Sequence, residues 1–148
     1  MNQSSGEPSD LLRSDYEGDL RTLQGVRRDV VGWLTDHAAD EATKERAALI
    51  ISELASNAIQ ASPGWAYSVE VSLVDRDHVA ISVRNRPIEH LPPPREKWRP
   101  AGNLSLKELS LRGRGLAIVD SLSDDVTIAH LDDELTVTAV FRIERDGR

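Results

Sequence analysis

The feature that most constrains the fold is the segment AALIISELASNAIQAS at residues 47–62. Apolar side chains fill most of it, yet Glu53 and Asn57 stand one helical turn apart inside it. At about 100° per residue, these two side chains lie roughly 40° apart on one helix face, with Gln60 nearby. We expect a helix over residues 41–61 that is apolar around most of its surface. Its polar stripe, formed by these three residues, faces either solvent or a site.

Hydrophobic periodicity also predicts the neighbours of this helix. The segment SDYE at residues 14–17 has the spacing of a capping box, which predicts an earlier helix over residues 15–38. Ser62–Gly64 ends the second helix, because proline disfavours the helical conformation in the residue before it. Alternating runs at residues 67–75 and 78–85 then predict an antiparallel hairpin.

The second half of the chain begins with an irregular segment. Residues 86–112 contain five of the seven prolines and no hydrophobic period, and long irregular segments in compact domains are usually functional or disordered. A glycine-led helix follows at residues 113–123, and alternating runs at residues 125–131 and 134–144 predict a second hairpin. Hairpins with segregated helices are typical of an α+β two-layer sandwich.

Length, charge and composition exclude several classes of protein. The 148 residues suit one domain, which we expect over residues 15–144 between loose tails at 1–14 and 145–148. The absence of cysteine excludes disulfides, and the four scattered histidines predict no metal site made by protein alone. The net charge of −7 argues against nucleic acid as a direct partner. With no membrane span and no signal peptide in the sequence, we expect a cytoplasmic protein.

A second candidate site lies in the segment RGRGL, Arg112–Leu116, at the start of the third predicted helix. Glycines let the backbone approach a ligand, and the free N–H groups of a first helical turn favour anions such as phosphate. Arginine adds forked hydrogen-bond donors. Glycine before a helix can equally serve only to make a turn, so this segment alone leaves both interpretations open.

Together these motifs form an ordered pattern, and the chain resembles the GHKL (Bergerat-fold) ATPase domain, in particular the small stand-alone anti-sigma-factor serine kinases of bacteria. ELASN at residues 53–57 resembles the N box of that family. VAISVRNRP at 79–87 lies where the family has its adenine-recognising box, and GRGLAIVDSLSDDV at 113–126 is similar to its glycine-rich box. ELTVTAVFRI at 134–143 resembles the closing strand, so that the resemblance spans residues 15–144.

The resemblance implies a mixed, mostly antiparallel sheet covered by helices on one face, with ATP between the helices and a lid at residues 86–112. It also implies that Asn57 holds Mg²⁺ against the phosphates and that Glu53 acts as general base toward a protein serine hydroxyl or a water. The remaining nucleotide-binding residues that it implies are Asn85, Arg112, Gly113, Arg114, Gly115, Leu116 and Thr136.

The functional hypothesis is therefore an ATP-dependent serine kinase that binds a sigma factor and phosphorylates an anti-sigma antagonist. Asn85 stands where the family carries an aspartate followed by glycine, which favours an alternative: a nucleotide-binding or partner-sequestering module of the same fold with weak or no kinase activity. A sensor-kinase catalytic domain is a third hypothesis. One further group could form either the core or a homodimer or sigma-factor interface. Its members are Val26, Val30, Trp33 and Leu34.

Overall fold

A single five-stranded sheet with three helices makes up the computed structural model, which describes residues 10–62, 64–86, 115–131 and 133–146. The strands are β1 (Leu11–Tyr16), β2 (Tyr67–Asp75), β3 (His78–Asn85), β4 (Asp125–Leu131) and β5 (Glu134–Arg142). The helices are α1 (Leu23–Asp36), α2 (Glu41–Ala61) and α3 (Gly115–Leu122), with a 3₁₀ turn at Leu20–Thr22 before α1.

The strands lie in the order β1-β2-β3-β5-β4, and each neighbouring pair in this described part of the chain is antiparallel. The predicted α+β sandwich, both hairpins, and the bounds of α2, β2 and β3 are confirmed. The mixed sheet that the family resemblance implies is therefore antiparallel throughout these strands. A short connection between consecutive strands can only join antiparallel neighbours, and both hairpins have such connections.

One face of the sheet carries the core. Alternate side chains of β2, β3 and β5 are buried. The buried residues of neighbouring strands lie opposite each other, as in the row Val69, Val83 and Val137. The apolar face of α2 covers this set, and all of these side chains join one hydrophobic cluster. Period-two alternation places the other half of the strand residues on the opposite face.

The three helices lie side by side on the covered face. Helix α1 contacts β1, α2 contacts β2, β3 and β5, and α3 contacts β4 and β5. Helix α2 also packs against both α1 and α3, so it is the central helix of the layer. One flank of α2 therefore faces α1 and the opposite flank faces α3.

The N-terminal prediction was wrong at its start. Residues predicted as tail and as first helical turn instead form β1, which pairs with β2 from Leu11 opposite Ser72 to Tyr16 opposite Tyr67. Asp19 caps the helical region instead of Ser14, through a hydrogen bond from the backbone N–H of Arg21. Pairing with the edge of β2 satisfies backbone groups over six residues, and this outweighs a local capping-box preference.

The C-terminal tail was predicted to begin at residue 145, but residues 145 and 146 are bonded to the rest of the domain. Ala39 and Arg145 form an isolated antiparallel bridge, and the backbone N–H of Asp146 donates to the carbonyl of Ala38. The backbone N–H of Asp40 donates to the carbonyl of Glu144 at 2.8 Å, next to the start of α2. Residues 144–146 therefore dock on the connection between α1 and α2.

The apolar group on α1 belongs to the core. All four of its members, named above, are buried and belong to the hydrophobic cluster. The core interpretation is confirmed, and an interface made by these side chains is excluded because they are not at the surface.

Docking of β1 against α1 can be tested at Tyr16. Its hydroxyl donates to Asp29 Oδ2 at 2.7 Å, and its ring stacks on Tyr67 with a centroid distance of 5.6 Å. Tyr16→Phe keeps the ring and removes the hydrogen bond to a charged group, so we expect the free energy of unfolding in urea to fall by about 1–2 kcal/mol.

The same variant makes a prediction for alkaline pH. Burial, and then the Asp29 carboxylate, raise the pKa of Tyr16, so the folded state keeps this proton to higher pH than the unfolded state. The contribution of Tyr16 is complete below a pH of about 10 and declines as the pH rises above that value. Stability should therefore decline less steeply above that pH in Tyr16→Phe than in the unmodified chain. Identical pH profiles would show that Tyr16 does not dock in this way.

Candidate functional site

The polar stripe lies on one flank of the central helix. Glu53 and Asn57 are half-buried, whereas Gln60 is exposed. On the other flank, Ser52 Oγ accepts a hydrogen bond from Arg27 of α1 at 3.1 Å. Glu53 and Asn57 are rotated by about 100° and 140° from Ser52 around the helix axis, so they face away from α1, toward the α3 side. Their partial burial distinguishes Glu53 and Asn57 from the exposed Gln60 of the same stripe.

The start of α3 supplies the second part of the candidate site. Leu116 is buried in the first turn of α3, and this helix packs against α2. The helix begins at Gly115, within the predicted glycine-led helix of residues 113–123. The described residues do not include Gly113, Arg114 or residues 87–112 of the predicted lid, to which Arg112 belongs.

Asn85 supplies the third part, at the end of β3. Its side chain is on the helix-covered face and is only 7% exposed. Its Nδ2 donates to Ser62 Oγ at 3.1 Å, and Ser62, which is fully buried at the end of α2, donates to the backbone carbonyl of Arg86. Asn57 precedes Ser62 by five residues, or about 8 Å along the helix axis. The structure therefore brings Asn57 and Asn85 to the same end of α2.

Thr136 does not join this group. On β5, Leu135 and Val137 are buried against the helices, so Thr136 between them faces the opposite side of the sheet, beside its register partner Arg84. Leu135 is the β5 residue directly opposite Asn85. The alternation of apolar residues in the β5 sequence indicates this orientation, because Leu135 falls on the apolar positions and Thr136 does not.

Sequence reasoning missed two further residues at this end of the sheet. Ser62 was interpreted only as a helix stop, since nothing local indicates that it will meet a residue 23 positions later. His130 on β4 is opposite Leu135, so it shares the helix-covered face with Asn85, and it is exposed. The hairpin pattern of β4 and β5 would have placed His130 there if the register had been known.

The side-chain oxygen of Asn57 suits magnesium that is held together with a ligand. Within the described ranges, no group of three or more His, Cys, Asp or Glu residues could hold a metal ion. Mg²⁺ usually keeps several waters and binds few protein oxygens together with phosphate. One amide oxygen at Asn57 fits that pattern. Among the described helices, none is both long and apolar enough to cross a membrane.

Comparison with known proteins agrees with the fold. Two solved structures share the fold at low sequence identity. One contains the RsbU and RsbW domains of Rv1364c from Mycobacterium tuberculosis, with a TM-score of 0.69 and 21% identity over 95% of this chain. The other is the SiaB-SiaC complex from Pseudomonas aeruginosa, with a TM-score of 0.63 and 16% identity over 89% of this chain.

These structural matches differ in how much of the other protein they cover. The match spans 34% of the Mycobacterium tuberculosis chain and 90% of the Pseudomonas aeruginosa chain. No curated protein sequence matches this chain. The model of the histidine kinase-like ATPase domain matches residues 16–141, which include all of β2, β3 and β4, all of β5 except its last residue, and only the last residue of β1. With most of its length matched by this model, the chain belongs to the histidine kinase-like ATPase domain family.

Proposed function

We propose that this chain is a cytoplasmic regulator that binds Mg-ATP and transfers the γ-phosphoryl group to a serine of a partner protein, as in the anti-sigma-factor serine kinases it resembles. The observation that carries the proposal is the placement of Asn57 and Asn85 at one end of α2, with Glu53 one turn from Asn57 on the same flank. The proposed partners are a sigma factor and an anti-sigma antagonist. Homology to an ATPase domain family supports the use of ATP.

Asn85 fits an adenine nucleotide. It is a buried amide whose Nδ2 donates to Ser62 Oγ, and its Oδ1 is a hydrogen-bond acceptor. An amide oxygen with two lone pairs suits a ligand that brings an N–H donor. The exocyclic amino group of adenine is such a donor.

Asn57 and the start of α3 fit the phosphates. The Asn57 side-chain oxygen would hold Mg²⁺, which, when bound, neutralises the charge of the phosphate oxygens. Backbone N–H groups of Gly115 and Leu116 belong to the first turn of α3, where the free donors and the helix dipole favour anions. We propose that the backbone N–H of Gly113 also binds the phosphates, and that Arg112 or Arg114 offsets charge during transfer.

Glu53 would act as the general base. As the serine oxygen forms a bond to the γ-phosphorus and the bond to the ADP oxygen breaks, the hydroxyl proton passes to the Glu53 carboxylate. The carboxylate lies on the flank that also carries Asn57, so both side chains could contact one bound nucleotide. Water could replace the serine, which would give hydrolysis instead of transfer.

A second candidate function rests on Asn85 itself. A neutral amide replaces the aspartate of the family, so the same fold could bind nucleotide or a partner without transferring phosphate. The SiaB-SiaC complex contains a chain with the same fold, which supports a protein partner for either function. Measuring nucleotide binding and phosphate transfer separately distinguishes the two functions.

Titration with Mg-ATP tests the first step. We expect a dissociation constant between micromolar and millimolar, which corresponds to about 4–8 kcal/mol, measured by isothermal calorimetry on the folded chain. Repeating the titration in EDTA should weaken binding, because the metal would no longer neutralise the phosphates. The absence of both heat and thermal stabilisation at millimolar Mg-ATP would contradict nucleotide binding.

Two substitutions on the stripe should separate binding from transfer. Glu53→Gln keeps the size of the side chain and removes the base, so ATP turnover should fall by about 10²–10⁴-fold while Mg-ATP affinity stays close to that of the unmodified chain. Asn57→Ala should remove the magnesium-dependent part of the affinity. Turnover is measured as ADP release, and as phosphate incorporation into a candidate partner.

Gln60→Ala is the matched control for both substitutions. Gln60 lies on the same helix and is exposed, so its loss should change neither affinity nor turnover. Truncating an exposed polar side chain also has little effect on stability. If Glu53→Gln and Asn57→Ala behaved like Gln60→Ala, the stripe would be a solvated helix surface and the proposed chemistry would be wrong. If the unmodified chain binds Mg-ATP but transfers no phosphate, the second function would be supported.

A further inference from the structure

We infer that Ser62 is a positioning residue that holds the Asn85 amide in one orientation, so that the site accepts a 6-amino purine and rejects a 6-oxo purine. This inference rests on the proposed function, since it names the base selectivity of the same nucleotide site. It assigns a role to a residue whose side-chain hydroxyl bonds to Asn85 and Arg86.

The direction of the hydrogen bonds around Ser62 carries the argument. Ser62 is fully buried, and its Oγ contacts the backbone carbonyl of Arg86 and the side-chain amide of Asn85. A hydroxyl has one hydrogen to donate, and a carbonyl can only accept. The Ser62 hydrogen therefore goes to Arg86, and Ser62 presents a lone pair to Asn85.

The group of Asn85 that faces Ser62 must consequently be the donor. Its NH₂ group meets this requirement at 3.1 Å, whereas a half-turn of the amide would place Oδ1 against the Ser62 lone pairs. Both side chains are buried, so water cannot easily compensate for two facing acceptors. The nitrogen and oxygen of this amide are thus not interchangeable, and Oδ1 is held on the side away from Ser62.

Base selectivity follows from an acceptor in a constant position. The 6-amino group of adenine can donate to Oδ1, whereas the 6-oxygen of hypoxanthine or guanine would bring an acceptor to an acceptor. A site built around a specific hydrogen bond rejects analogues that leave its buried group unpaired. The arrangement also explains an amide at position 85: an aspartate would compete with the Arg86 carbonyl for the single Ser62 hydrogen.

The test compares ATP with inosine triphosphate, which differs at the 6-position and, as a result, at N1. With magnesium present, the unmodified chain should bind ATP more tightly by calorimetry. In Ser62→Ala the amide can turn over, so the ratio of the two affinities should fall by about tenfold, or about 1.4 kcal/mol. A ratio that stays unchanged in Ser62→Ala while ATP still binds overturns this inference and leaves the proposed function intact.

Ser52→Ala is the matched control. Ser52 lies on the same helix, its hydroxyl donates to the carbonyl of Ala48 at 2.7 Å, and it accepts from Arg27 at 3.1 Å, so its hydrogen bonds have the same pattern. It faces α1, so its loss should leave the affinity ratio unchanged. An equal fall in Ser52→Ala would mean that helix perturbation, and not positioning, sets the ratio, which also overturns the inference.

A double-mutant cycle tests the mechanism. Both oxygens of a carboxylate accept, so its orientation cannot change the selectivity, and Ser62→Ala should have no effect on the ratio in an Asn85→Asp background. A fall of the same size in both backgrounds would overturn the inference. Failure of the unmodified chain to bind either nucleotide would overturn the proposed function and this inference together.

A measurement on the unmodified chain covers the case in which Ser62→Ala does not fold. The side-chain NH₂ protons of Asn85, assigned by their absence in Asn85→Asp, should show nuclear Overhauser contacts to the β-protons of Ser62. Their absence in the folded chain would show that the amide does not face Ser62, and would overturn the inference.

Discussion

Packing of α2 on the sheet is the interaction on which the rest of the structure depends. Large aliphatic side chains on its inner face, such as Ile50, Ile51 and Leu54, are buried against β2, β3 and β5. Each such side chain contributes about 1.5–3 kcal/mol relative to exposure. Since this face has a fixed position, the rotation of the helix is also fixed. Glu53 and Asn57 then lie on the α3 side as a consequence of core packing.

The candidate site is connected to this core by buried hydrogen bonds. Ser62 ends α2, and Asn85 ends β3, and their contact ties the helix to the strand at the place proposed for the base. A buried polar group is stable only when its donors and acceptors are matched. The pairing of Asn85 with Ser62 therefore contributes both to the fold and to the proposed selectivity, through the same atoms.

Local patterns explain which parts of the fold were predictable. The apolar period of α2, the alternation of β2 and β3, and the hairpin of β4 and β5 all depend on side chains a few positions apart. The first strand was not predictable in this way, because its stability comes from pairing with β2 some 50 residues later. Its sequence also carries a capping-box spacing, and that local signal favours a helix over the strand that the sheet imposes.

The sequence by itself determined the helix that carries Glu53 and Asn57, the spacing of those residues, and the family they indicate. Only the tertiary structure decided that Asn85 meets Ser62, that Leu135 lies directly opposite Asn85, and that His130 lies in the same row. Periodicity fixes which side chains share a face of one element, because that depends on backbone geometry alone. Which elements become neighbours, and in what register, depends on the packing of the whole chain.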